Sequence, residues 1–323
     1  MGEMGGKLRE RGASLWSRLS DSPSRRASRV IILGLVSLWL VVPGRYDDPG
    51  SASTSRYMSF ADKDDAENRA RILGCEGAEN GGGVVVLAYG KQVEGGTRAF
   101  GSEEEHYSYT DLIDLTLAYG DGLKTCSRQN WTVVVATSNY KLSKETPAEN
   151  WGRDWALMVN LLSKTGETRI KYVGGIDLEP GWGAPDESLK WLRGYRKNAV
   201  TPLWANASAD GCPVKGPGTC ANGWTTTLLG RAVWDGEGVV LPQIYRRDGI
   251  QAAQWANLAR MYLKEGGSPR FGAVMTQRRA CAQVRNPGCE ALNNKPRDAV
   301  KQLNSFLEGT GMVVVRATDI GWE

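Results

Sequence analysis

Val84-Val-Val-Leu-Ala-Tyr89, Trp131-Thr-Val-Val-Val-Ala136 and Ile170-Lys-Tyr-Val-Gly-Gly-Ile-Asp-Leu178 are short runs rich in β-branched and apolar residues. Their apolar positions are largely consecutive, not alternating, which is the pattern of strands covered on both faces and so of parallel sheets. Pro202–Asn206, Val239–Tyr245, Phe271–Thr276 and Met312–Ala317 extend the series to seven strands. Helix-period segments lie between them at roughly 106–119, 150–164, 186–199, 249–265 and 297–309; Pro296 precedes the last, and Gly309 and Gly311 follow it. Strands alternating with helices across residues 81–323 predict an α/β fold. Two architectures meet this pattern, a (β/α)8 TIM-type barrel and an open doubly wound sheet. The barrel is the expectation, because Gly81-Gly-Gly83 precedes its strand and no G-x-x-x-x-G-K-[ST] phosphate loop occurs. An eighth strand is required, and none is evident between residues 91 and 130.

Outward from this region the chain changes character. Seven of the 40 Lys/Arg and three of the 36 Asp/Glu fall in residues 1–29, so the remainder carries 33 of each sign. The basic pI belongs to that leader and gives no reason to expect nucleic-acid binding by the folded part. Arg25, Arg26 and Arg29 lead into the uncharged run Val30–Val42, closed by Pro43 and Gly44. As a helix this run spans roughly 20 Å, short of the ~30 Å hydrocarbon core and suited to a signal-peptide h-region. Residues 30–44 are therefore read as a signal peptide or signal-anchor, with the basic leader cytoplasmic and the rest extracellular or at the cell surface. Residues 45–80 are polar and read as linker and N-terminal extension.

Cysteine usage points to the same compartment. All six cysteines lie beyond the apolar run. Cys212/Cys220 and Cys281/Cys289 flank Gly/Pro-containing loops, which leaves Cys75 with Cys126; three structural disulfides are expected. No C-x-x-C motif and no histidine near the cysteines supports a metal site, so no metal and no cofactor is expected. His106 is the only histidine, which argues against Ser-His-Asp and Cys-His hydrolases; with Glu103-Glu-Glu105 it reads as a solvated helix start.

In a (β/α) barrel the chemistry sits at the C-terminal ends of the strands. Asp177 and Glu179 stand two residues apart at such an end and so face one way. Two carboxylates in one lumen repel, so one should hold a proton at neutral pH. A protonated carboxyl beside an ionised one suits glycosidic cleavage. Tyr89, Trp182, Trp204, Tyr245 and Trp322 are placed at the same rim, where aromatic faces stack on sugar rings. Asp319, at the last strand end, is a second candidate partner for Glu179.

Gly82-Gly-Val-Val-Val-Leu-Ala-Tyr89-Gly-Lys-Gln92, Gly175-Ile-Asp177-Leu-Glu179 and Gln243-Ile-Tyr245 resemble, in that order, three strands of family 18 glycoside hydrolases of the hevamine-like chitinase kind. The resemblance implies a (β/α)8 barrel with Glu179 as the acid and Asp177 orienting the substrate's N-acetyl group. It also implies Tyr245 donating to that acetamide, with Gln243 beside it. The expected function is cleavage of a cell-wall or extracellular polysaccharide, and the expected partners are a polysaccharide or oligosaccharide and, if the signal is uncleaved, a membrane. The alternative is a non-catalytic carbohydrate-binding barrel at the cell surface.

Overall fold

A computed structural model describes residues 52–60, 65–78, 83–102, 105–165, 168–284 and 287–323. The basic leader 1–29 and the expected signal or signal-anchor 30–44 lie outside the described residues. Among the described residues no helix is long and apolar enough to cross a membrane.

The strands are β1 (Ser53–Tyr57), β2 (Gly83–Val93), β3 (Gly96–Arg98), β4 (His106–Ser108), β5 (Trp131–Ser138), β6 (Ile170–Leu178), β7 (Trp204–Ala207), β8 (Val239–Pro242), β9 (Val274–Thr276) and β10 (Ala317–Trp322). The helices are α1 (Ala66–Ala78), α2 (Tyr109–Cys126), α3 (Ala148–Ser163), α4 (Pro185–Asn198), α5 (Thr226–Trp234), α6 (Ile250–Lys264), α7 (Arg278–Val284) and α8 (Pro296–Leu307). Eight strands pair in parallel in the order β8-β7-β6-β5-β2-β1-β10-β9. The seam between β8 and β9 is joined by Val240 N–H to the Arg270 carbonyl, Gly272 N–H to the Val240 carbonyl and Ile244 N–H to the Met275 carbonyl, each 2.9 Å. This is the (β/α)8 barrel, and the open sheet is set aside. β3 and β4 form an antiparallel extension on the end of β2.

The eighth strand is β1, inside the segment 45–80 expected to be linker. It pairs with β10 on one side and β2 on the other. Its sequence, Ser53-Thr-Ser-Arg-Tyr57, carries no aliphatic residue, which hides it from a hydrophobicity reading. Small hydroxyls replace apolar packing: Ser55 Oγ lies 2.6 Å from Thr318 Oγ1 and accepts from Val86 N–H at 2.8 Å. Arg56 is buried on the outer face, paired with Glu76 at 3.0 Å and Glu323 at 3.8 Å. The last strand is shifted from the expected Met312–Ala317 to Ala317–Trp322, because Val313 and Val315 are exposed while Thr318 and Ile320 are buried. The helix expected from 106 starts at Tyr109, where Ser108 and Asp111 form a reciprocal capping box. Helices α1, α5 and α7 were not anticipated.

Alternation along each strand separates two cores. Val84, Val86, Ala88, Val134, Ala136, Val173, Leu241, Tyr245, Ala273, Met275 and Ile320 fill the lumen. The opposite faces pack on the helices, where Trp155 Nε1 donates to the Val135 carbonyl at 3.2 Å and Trp191 stacks on Tyr195 at 5.6 Å. Gly175 faces the lumen because a Cβ there would lie 2.5 Å from Val134 Cγ1. The three disulfides are the expected Cys75–Cys126, Cys212–Cys220 and Cys281–Cys289. They are compatible with an extracellular location.

Candidate active site

β6 delivers both carboxyls to the mouth of the barrel. Asp177 is 1% exposed, and its Oδ1 accepts from Gln243 Nε2 at 2.8 Å. Glu179 follows the strand, and Pro180 after it disfavours helical backbone there; Glu179 stays extended at φ −116, ψ 117. Asn139, just past β5, prolongs the ladder with its side chain: Glu179 N–H donates to Asn139 Oδ1 at 3.0 Å and Asn139 Nδ2 donates to the Glu179 carbonyl at 3.1 Å. This clamp keeps Glu179 in the parity of Asp177, so both side chains share one space.

Burial is the largest cause of the carboxyls' altered acidity. It pushes Glu179 from 4.5 up to about 7, helped by the negative charge of Asp210 and opposed by a hydrogen bond from Gln243. Asp177 is raised well above its ordinary value by burial and then by the charge of Glu179, with Gln243 again opposing. The pair therefore retains at least one proton at neutral pH. Tyr245 also reaches this space, and its buried hydroxyl makes no well-formed hydrogen bond. Its phenol and that of Tyr57 lie against each other; both are held neutral by burial and by the carboxyl charges.

One side of the mouth carries a run of aromatic rings. Trp322 lies 4.4 Å from Tyr57, Tyr57 5.7 Å from Phe100, Phe100 5.8 Å from Trp182, and Trp182 5.5 Å from Tyr140. Half-buried Trp182 rides on a 3-10 turn, Pro180–Trp182, held by Asn222 Nδ2 donating to the Pro180 and Gly181 carbonyls at 2.9 Å each.

Asp177, Glu179, Gln243, Tyr245, Trp182 and Trp322 thus converge on the strand ends. Three expected site residues do not. Tyr89 is next to lumen-facing Ala88 and so points outward; fully buried, its hydroxyl lies 2.9 Å from Thr116 Oγ1 on α2. Trp204 faces inward but one layer lower, in register with Gly175, with its ring packed over Gly272. Asp319 alternates with inward-facing Ile320 and caps α7, accepting from Thr276 Oγ1 at 2.7 Å and from Arg278 and Arg279 N–H at 2.9 and 3.1 Å. It is not a partner for Glu179.

Tyr57, Asn139, Asn206 and Asp210 belong to the site and were not read from the sequence. Tyr57 was hidden with β1. Asn206 and Asp210 had a signal, since both follow the apolar start of β7 as Asp177 and Glu179 follow that of β6. Asp210 is oriented by Ser208 Oγ, which donates to its Oδ2 at 2.7 Å. Among the described residues no group of His, Cys, Asp and Glu is placed to hold a metal ion. Two surface depressions, one beside α3 and α4 and one around Trp131 and Arg316, are lined by none of these residues.

No protein-family model matches the chain, and a search of curated proteins finds no match.

Proposed function

We propose that the protein is a glycoside hydrolase acting on a cell-wall or extracellular polysaccharide of N-acetylhexosamines. The observation that carries this reading is the pair of buried Asp177 and half-buried Glu179 at the mouth of the barrel, bridged by Gln243, with one carboxyl poised near neutrality. Glu179, protonated below about 7, donates its proton to the glycosidic oxygen as the bond to the anomeric carbon breaks. The substrate's own acetamide oxygen attacks that carbon, with Asp177 orienting the acetamide and Tyr245 donating to it. Water, deprotonated by Glu179, then opens the cyclic intermediate with net retention. The aromatic run offers stacking faces for neighbouring sugar rings. Export through the basic leader and apolar run, with a membrane anchor if that run is uncleaved, accords with three disulfides and belongs to the same proposal.

Release of reducing sugar from N-acetylhexosamine oligomers tests it. Turnover should fall as pH rises through about 7, where Glu179 loses its proton. Asp210 raises that value, so Asp210→Asn should move the alkaline limb of the pH–rate profile to lower pH. Binding without release from any oligomer would leave a carbohydrate-binding barrel instead.

A further inference from the structure

We infer that Asn206 binds the substrate directly and selects for a ring substituent that both donates and accepts a hydrogen bond. This rests on the proposed function and adds a specificity residue to it.

Asn206 lies on β7, in register with Asp177 on one side and with lumen-facing Leu241 on the other. Its side chain therefore points into the space that holds the carboxyl pair. It is 0% exposed, and neither its Nδ2 nor its Oδ1 has a hydrogen-bond partner. A carboxamide offers two N–H donors and a carbonyl acceptor, and buried groups of this kind are nearly always satisfied. Two neighbouring pairs are already engaged, Asp177 with Gln243 and Ser208 with Asp210, while the Tyr245 hydroxyl is open like Asn206. An unmet donor and acceptor on one rigid strand, beside the reacting pair, match a hydroxyl or amide group on the bound sugar ring. Leaving such a pair unmade costs stability in the free protein and rewards only a ligand that fills both roles. A ring lacking that substituent leaves the amide unpaired and is rejected.

Asn206→Leu removes both polar atoms at similar volume. Binding is read calorimetrically with N-acetylhexosamine oligomers on a Glu179→Gln background, where turnover does not interfere. Kd should rise by about tenfold to a hundredfold, while the unliganded variant melts no lower than its parent. Asn206→Ala, which demands no room, reports the same loss of binding if leucine does not fit. Unchanged Kd in either folded variant overturns the inference; an Asn206→Leu melting point several degrees below the parent means that leucine does not fit, and Asn206→Ala then decides. If the parent binds no oligomer, the proposed function fails and this inference with it; if the parent binds and the variants bind equally, only the role of Asn206 fails.

Discussion

Glu179→Gln lowers turnover of N-acetylhexosamine oligomers by roughly 10²–10⁴-fold, the range that a general acid contributes, with binding of the same oligomers retained. The substitution keeps the shape of the side chain and the clamp from Asn139, which acts on the backbone of Glu179, and removes only the transferable proton. A second readout separates chemistry from misfolding. Glu179 goes from 4.5 to about 7 on burial, so the folded state holds this proton more tightly than the unfolded chain. The stability it contributes is full below about 4.5 and is lost as pH rises through about 7. Glutamine does not titrate, so above neutrality the variant should melt higher than the wild type, and the advantage should vanish at acid pH. Undiminished turnover removes Glu179 from the mechanism.

The second large effect concerns β1. A chain beginning at residue 81, the boundary that the hydrophobic pattern suggests, should show no cooperative thermal unfolding. A chain beginning at residue 45 should melt with the full-length protein. The shorter chain loses the strand between β2 and β10 and leaves two unpaired edges in a barrel that has none. It also loses α1 with Cys75, and the contacts of buried Phe60, whose N–H donates to the Tyr107 hydroxyl at 2.6 Å. Circular dichroism melts of the two chains decide this; a sharp transition in the chain from residue 81 would mean that β1 is dispensable.

These two results bracket what the sequence makes legible. Helix-covered parallel strands advertise themselves through consecutive valines, as in β2 and β5, and that pattern led to the barrel. β1 has the opposite chemistry, with Ser53 and Ser55 inside and a salt-bridged Arg56 outside, so its burial depends on partners more than 260 positions away. The carboxyl pair was readable because Asp177 and Glu179 share a local parity, and parity survives folding. Tyr89 was misplaced because the same parity, counted from Ala88, turns it toward α2. Trp204 was misplaced by depth, which depends on where β7 begins relative to β6 and so on register that no local pattern encodes. Asp319 was misread because a carboxylate beside a strand end serves equally well as a helix cap, and only Thr276 and the start of α7 decide between them.

The most direct measurement is the ionisation of Glu179 itself, followed by carbon-13 chemical shift of its labelled carboxyl against pH, with Glu179→Gln identifying the resonance. A midpoint near 7, dropping in Asp210→Asn, is the expected result. A midpoint near the ordinary 4.5, unmoved by that substitution, would show a carboxylate resting freely in water and contradict a proton held at the mouth of the barrel.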